Sequence, residues 1–221
     1  MKKFLINLIF LLIFIPNAKA EPVQSVMVFG DSLSASYGIP TEAGWVELLK
    51  QRLKSQSTEY HVINTSISGE TTLGGRKRIE QALKIHRPNI VILELGANDG
   101  LRGLPIKSIY ENLAAIIKIC QQNNVLVLLA GMQLPPNYGI SYTQKFQNIF
   151  PQLAEDHQIK LIPFLLAGFG DKNDFFQADG VHPNEQAQEI IVENVWQVLH
   201  TLFKHNRIAI SPDTQPHIIS R

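Results

Sequence analysis

The sequence predicts a single-domain α/β fold, a three-layer α/β/α sandwich around a five-stranded parallel sheet of flavodoxin-like order. Short apolar runs alternate with longer amphipathic segments along most of the chain. Residues 90–95 are nearly all apolar, as in a central parallel strand covered on both faces. The length of 221 residues fits one ordinary domain. In such a sheet the carboxyl ends of the strands meet along one edge, where ligands bind.

Five apolar stretches predict the strands of this sheet. The first ends at Gly30, a residue that permits a tight turn. The predicted strands are residues 26–29, 60–64, 90–95, 125–130 and 160–164.

The segments between these stretches have helical spacing of their apolar residues. In the first, Trp45, Leu49 and Leu53 fall on one face. The predicted helices are residues 45–53, 73–85, 106–119, 142–157 and 185–203. Gly74 and Gly75 weaken the start of the second helix, and Pro151 is expected to break or kink the fourth.

The N-terminus has the pattern of an export signal. Lys2 and Lys3 precede an apolar run over residues 4–15, and Ala18-Lys19-Ala20 is an A-x-A cleavage site. The run is shorter than the roughly 20 residues that span a bilayer. We therefore expect residues 1–20 to be a Sec-type signal peptide cleaved after Ala20, giving a periplasmic or secreted protein. We then expect the folded domain to be residues 21–205 and residues 206–221 to be a polar tail.

Composition excludes several other classes of function. The formal net charge is only +1, and the single basic run, Arg76-Lys77-Arg78, is typical of a solvated helix face, so we expect no nucleic-acid partner. Cys120 is the only cysteine and is expected to be a buried small apolar residue. The 7 histidines show no metal-ligand spacing, so neither a metal nor a cofactor is expected.

Ser32 is a candidate nucleophile because it follows the first predicted strand and Gly30. A serine hydroxyl attacks only when a base removes its proton. The segment is not the G-x-S-x-G of a nucleophile elbow, since position 34 is serine. The alternative is that Asp31 and Ser32 simply cap a following helix.

Asp179 and His182 supply the remaining groups of a triad. In a loop or a first helical turn, three residues of separation bring the carboxylate beside the imidazole. His182 would then be the base for Ser32, with Asp179 orienting its ring. Alternatively, Asp179-Gly180 is only a turn and His182 only a surface residue.

An oxyanion hole can be assembled from the Ser32 amide, the Gly69 amide and the Asn98 side chain. Gly69 and Asn98 each lie shortly after a predicted strand. Preorganised donors of this kind are worth about 3 kcal/mol each. Both residues are also common in ordinary loops and turns, which is the alternative interpretation.

Taken together, these motifs resemble the SGNH hydrolases, also called GDSL-type esterases and lipases. The resemblance extends from about Val26 to the last helix through five separated blocks, at residues 30–35, 64–70, 94–103, 134–139 and 179–184. It implies the SGNH hydrolase fold, with Ser32, Asp179 and His182 as the triad. It likewise implies Ser32, Gly69 and Asn98 as oxyanion donors. Ser36 stands where glycine is common, and Ala97 where Gly-Gly-Asn-Asp is common.

The resemblance also implies an activity. We expect an exported monomeric serine esterase, with at most transient membrane-surface contact, that hydrolyses lysophospholipids, fatty acyl thioesters and aryl esters through an acyl-enzyme on Ser32. By analogy the apolar acyl groove would be lined by Leu33, Met132, Leu134 and Pro135, although core or loop packing also explains these residues. Two alternatives are a carbohydrate acyl (acetyl) esterase on the same fold and a catalytically silent acyl-lipid-binding protein.

Overall fold

The computed structural model describes residues 24–56, 58 and 60–209. The predicted signal peptide and most of the predicted C-terminal tail lie outside these ranges. Within them, no helix combines the length and apolar character needed to cross a bilayer.

The sheet has the predicted five parallel strands, in the order β2-β1-β3-β4-β5. These are β1 (Gln24–Gly30), β2 (Tyr60–Asn64), β3 (Ile90–Glu94), β4 (Leu126–Ala130) and β5 (Lys160–Ile162). All residues of the central strand β3 are buried, as its apolar run predicted. β5 ends two residues earlier than predicted because Pro163 has no N–H to donate to the ladder.

Helices cover both faces of the sheet, which confirms the single α/β domain. They are α1 (Trp45–Ser55), α2 (Thr72–His86), α3 (Ala97–Leu101), α4 (Ile106–Gln122), α5 (Ile140–Asp156) and α6 (Gln188–Ala209). α1 packs against α6 in one layer, while α4 packs between α2 and α5 in the other. The core lies between these layers and the sheet and includes Cys120, where burial raises the pKa of the thiol to about 12.

The structure corrects two helix predictions. α5 runs without a break through Pro151, because its buried face of Phe146, Ile149, Phe150 and Leu153 outweighs the cost of about 3 kcal/mol of an internal proline. Residues 185–187 form a 3₁₀ turn whose N-cap is Asn184, and α6 continues to Ala209, beyond the predicted end at residue 203. Its last turn therefore enters the segment predicted to be a tail.

Glycine at the start of α2 has a packing reason. Thr71 caps the helix by accepting a hydrogen bond from the Gly74 amide at 3.2 Å. A Cβ on Gly75 would lie 2.5 Å from the Leu95 side chain. The small residue therefore allows α2 to approach the sheet closely beside the end of β3.

Candidate active site

Sheet topology brings the predicted site residues to one edge. Ser32, Gly69 and Asn98 follow β1, β2 and β3, which are neighbours in the strand order. Because the strands are parallel, the three connections leave the sheet on the same side. The loop after β2 also bonds directly to the end of β1, where the Ile67 amide donates to the Gly30 carbonyl at 3.0 Å.

Ser32, His182 and Asp179 form a continuous hydrogen-bonded chain. The Ser32 Oγ lies 2.9 Å from Nε2 of His182. On the other side of the ring, Nδ1 lies 2.7 Å from Oδ2 of Asp179. The hydroxyl, the imidazole and the carboxylate therefore have the order and spacing of a nucleophile, its base and an orienting acid.

Hydrogen bonds within the loop that carries His182 stabilise the ionised form of the Asp179 carboxylate. Oδ1 of Asp179 accepts hydrogen bonds from the amides of Val181 at 2.9 Å and His182 at 3.0 Å. Burial acts to raise the pKa of Asp179, but these bonds and the imidazole outweigh it and lower the pKa to about 2. An ionised Asp179 accepts the Nδ1 proton, which leaves Nε2 free to accept the proton of Ser32.

The turn after Ser32 places an aromatic ring against the base. The ring centroids of Tyr37 and His182 are 4.4 Å apart, with the planes inclined by 38°. The preceding Ser36 has φ of 57°, in the left-handed region that favours glycine. A side chain at position 36 is accommodated because Gly44, whose Cβ would lie 1.9 Å from the Ser36 hydroxyl, has none.

Asn98 lies in a helix and not in the loop that the sequence predicted. It is the second residue of α3, which starts after Gly96 at φ of 117°. Its Nδ2 donates to Oδ2 of Asp31 at 2.9 Å, and Asp31 is the residue that immediately precedes Ser32. Asn98 and Ser32 both line the same cavity, so a side-chain N–H is available there.

Gly69 lies in the tight turn between β2 and α2. The Glu70 amide closes this turn on the Ile67 carbonyl at 3.0 Å, and Gly69 has φ of 78°. Arg78 holds both ends of the loop, pairing with Glu70 at 2.6 Å and donating to the Thr65 carbonyl at 2.9 Å. Gly69 itself is exposed and does not line the cavity that contains Ser32 and Asn98.

A buried bridge ties the Gly69 and Asn98 segments together. Asp99, which is 1% exposed, accepts from the Thr72 amide at 2.9 Å and from its hydroxyl at 2.6 Å. Asn112 donates to the same hydroxyl at 3.2 Å. The start of α2 is therefore fixed relative to α3, which sets the two segments in register.

Two further acidic residues lie buried behind Ser32. Asp31 and Glu94 are both fully buried. Burial raises the pKa of Asp31 to about 6, against the lowering effect of hydrogen bonds from the Leu33 amide and Asn98. Burial, together with the neighbouring charge of Asp31, raises the pKa of Glu94 well above its usual range. Glu94 interrupts an otherwise apolar strand, which is the sequence signal that could have marked it.

A cavity of about 750 Å³ opens beside Ser32 and His182. All the residues predicted for an acyl groove line it, namely Leu33, Met132, Leu134 and Pro135. Met132 is only 2% exposed, so it also packs into the core. Sequence reasoning missed the apolar wall after β5, which consists of Phe164, Leu166 and Phe176.

These groups are equipped for acyl transfer. They combine a nucleophile within hydrogen-bond distance of a base, an oriented base, a nearby side-chain N–H donor and an adjoining apolar cavity. Among the described residues, no cluster of three or more His, Cys, Asp or Glu side chains could hold a metal ion.

Comparison with known proteins places the site in context. The family model described as "GDSL-like Lipase/Acylhydrolase family" matches residues 28–190. The chain is 42% identical over 179 residues to "Esterase TesA" of Pseudomonas aeruginosa, covering 81% of this chain and 89% of that protein. A crystal structure of TesA superposes with a TM-score of 0.79 at 42% identity, covering 81% of this chain and 99% of that one.

Two other relatives carry more specific names. The arylesterase of Vibrio mimicus is 42% identical over 188 residues, covering 85% of this chain and 94% of its own length. The "Thioesterase 1/protease 1/lysophospholipase L1" of Escherichia coli is 36% identical over 200 residues, covering 90% of this chain and 95% of its own length.

Proposed function

Because the chain belongs to the GDSL-like lipase/acylhydrolase family, it is a serine hydrolase of ester bonds, and we propose that it is exported and cleaves lysophospholipids, fatty acyl thioesters and aryl esters. The observation that carries the mechanism is the hydrogen-bonded chain from Ser32 through His182 to Asp179. The names of the relatives support the substrate classes.

Acylation begins with attack of the Ser32 Oγ on the acyl carbonyl carbon. As the bond forms, Nε2 of His182 accepts the hydroxyl proton over a starting distance of 2.9 Å. The ionised Asp179 stabilises the resulting imidazolium and keeps its ring in place. The imidazolium then gives its proton to the departing alcohol or thiol, which leaves an ester between Ser32 and the acyl group.

Negative charge on the carbonyl oxygen is stabilised by N–H donors. We assign these to the amides of Ser32 and Gly69 and to the side chain of Asn98. Removing one such donor typically lowers kcat by about 10²- to 10³-fold. In the second half-reaction His182 removes a proton from water, which attacks the acyl-enzyme, and the imidazolium returns that proton to the Ser32 Oγ as the acid is released.

The cavity supports an acyl chain as the group bound beside the nucleophile. Its apolar lining on both the Leu134 side and the Phe164 side can remove a hydrocarbon chain from water. A carbohydrate acyl esterase would present a polar or aromatic platform for sugar rings instead. The aliphatic side chains of Leu33, Leu134 and Leu166, which offer no flat ring for a sugar, favour fatty acyl substrates over acetylated sugars.

Export is the second part of the proposal. It rests on the basic residues, apolar run and A-x-A site within residues 1–20. An exported enzyme seldom meets cytosolic acyl thioesters, so lysophospholipids and other envelope esters are its physiological substrates in this proposal.

The decisive experiment uses the protein expressed in bacteria from its full coding sequence. Mass spectrometry of the purified product tests export, which predicts a new N-terminus at Glu21 and recovery outside the cytoplasm. The same material is assayed on nitrophenyl esters of increasing acyl length, on a monoacyl phospholipid and on a fatty acyl thioester, with an acetylated sugar as the substrate of the alternative.

Ser32→Ala is the matched control. We expect hydrolysis of all three substrate classes by the wild type, covalent labelling by a fluorophosphonate, and loss of both in the variant. Cleavage restricted to acetylated sugars would favour the carbohydrate esterase. Lipid binding that persists in Ser32→Ala, without labelling or turnover in the wild type, would indicate a silent acyl-lipid binder.

A further inference from the structure

The mechanism leaves two buried acidic side chains behind Ser32 without a role. Asp31 immediately precedes the nucleophile, and Glu94 is the last residue of the central strand β3. Both are completely inaccessible to solvent. Buried carboxyl groups are costly unless they are hydrogen-bonded, so their hydrogen bonds indicate what they do.

Both carboxylate oxygens of Asp31 act as acceptors. Oδ1 accepts from the Leu33 amide at 3.0 Å, and Oδ2 accepts from Nδ2 of Asn98 at 2.9 Å. An N–H donor at each oxygen of a carboxyl group favours its ionised form. Asp31 is therefore assigned as the anion of the two, and His182 also acts to lower the pKa of Asp31.

Glu94 has the complementary pattern. Its Oε2 accepts from the Asp31 amide at 3.1 Å and from the Ser34 hydroxyl at 2.6 Å. Its Oε1 is buried and has no hydrogen-bond partner among the described residues. An ionised Glu94 would leave a charged oxygen without a donor in the core, close to the Asp31 anion, so both burial and charge favour a proton on Glu94. Oε1 of Glu94 is the oxygen left to carry it.

We propose that Asp31 and Glu94 are a positioning pair that shares one proton, carried by Glu94, and that the Asp31 anion fixes the orientation of the Asn98 amide. This inference rests on the proposed function, since it assigns a role at the same site. The raised pKa of Glu94 agrees with a protonated side chain at neutral pH.

The orientation matters because a carboxamide has two different ends. An anion at Asp31 accepts only from the NH2 end of Asn98, so the amide cannot turn its oxygen toward Asp31. One N–H is used in that bond, and the second remains for the substrate oxygen. A neutral partner would tolerate either orientation and would lose this selection.

Two isosteric substitutions test the assignment of the proton. In Glu94→Gln the amide mimics a protonated acid, because its oxygen can accept from the Asp31 amide and the Ser34 hydroxyl while its NH2 takes the place of the protonated Oε1. We expect kcat within about threefold of the wild type, well below the effect of a lost donor. In Asp31→Asn one carboxylate oxygen is replaced by an NH2 group. That group must face the N–H of either the Leu33 amide or the Asn98 side chain, so two donors meet and a hydrogen bond is lost. We expect kcat to fall at least about tenfold with little change in KM.

A double-mutant cycle tests whether Asp31 acts through Asn98. Asn98→Ala should lower kcat by about 10²- to 10³-fold, and Asp31→Asn should add little in that background. A further drop in the double variant equal to that of Asp31→Asn alone would show that Asp31 acts independently of Asn98. Urea unfolding of each variant establishes that the protein remains folded.

Infrared spectroscopy of the folded protein detects the proton directly. At neutral pH we expect the C=O stretch of a protonated carboxyl group, absent from Glu94→Gln. No such band in the wild type, or a Glu94→Gln variant as impaired as Asp31→Asn, would overturn the inference. Because these outcomes leave Ser32-dependent labelling and turnover intact, they differ from failure of the proposed function, in which Ser32 would be neither labelled nor required.

Discussion

Gly30 is the residue at which packing, stability and the site can be tested with one methyl group. A Cβ at this position would lie 2.5 Å from Oε2 of Glu94 and 2.8 Å from the Ser34 hydroxyl. Neither atom can retreat easily, because they are hydrogen-bonded to one another at 2.6 Å inside the core. Overpacking costs about 1–3 kcal/mol, and disturbing a buried hydrogen bond costs about 1–3 kcal/mol more.

We therefore expect Gly30→Ala to lower the free energy of unfolding by about 2–6 kcal/mol, which for a protein of this size lowers Tm by about 4–24 °C. Urea and thermal unfolding measure this directly, and kcat should fall as well because Ser32 follows two residues later. Gly103→Ala is the matched control, since its Cβ meets nothing within 4 Å and only the φ of 65° opposes it, at about 1–2 kcal/mol. Equal stability of the two variants would refute the packing argument.

Three other substitutions test separate features. Ser36→Gly should raise the free energy of unfolding by up to about 1 kcal/mol, because it relieves a side chain held at φ of 57°; a lower urea midpoint would contradict this. Thr72→Val should destabilise by about 1–3 kcal/mol and lower kcat, because Asp99 loses a buried hydroxyl donor; Thr72→Ser should restore both, and a fully active valine variant would argue against the bridge. The pKa of Asp179 is depressed to about 2, so its stabilisation is present above pH about 4 and is lost as the pH falls toward 2. The difference in unfolding free energy between wild type and Asp179→Asn should shrink over that interval in urea titrations, and a constant difference would refute the assignment.

Most of the fold could be predicted from local patterns because each β-strand and long helix has a strong period of its own. The apolar runs predict the five strands, and the flavodoxin-like order expected for such an alternation of strands and helices is the observed β2-β1-β3-β4-β5. α3 could not be predicted in this way. Its sequence, Ala97–Leu101, is rich in turn formers, and the helix is held by hydrogen bonds that the amide and hydroxyl of Thr72, 27 residues away, donate to Asp99. A contact between distant segments decides the structure there.

The candidate site, too, could be predicted only in part from the sequence. Ser32, Gly69 and Asn98 could be proposed because residues after parallel strands are brought to one edge whatever the side chains are. The hydrogen bonds that Asp31 makes with Asn98 and Glu94 behind the nucleophile could not be predicted. Asp31 and Glu94 are 63 residues apart, and only the register of β1 beside β3, which pairs Gly30 with Glu94, brings them together.

That register also explains why a carboxyl group is found at the end of a buried strand. In a central parallel strand an apolar side chain would stabilise the fold more than a carboxyl group does. Burial disfavours the charged form of that group, which is why the pKa of Glu94 is raised. An apolar residue, however, could accept a hydrogen bond from neither the Asp31 amide nor the Ser34 hydroxyl. The turn that presents Ser32 would then lose the contacts that fix it against the sheet. The acid is therefore best understood as a feature of the site within the core, where some stability is exchanged for the position of the nucleophile and its neighbouring donor.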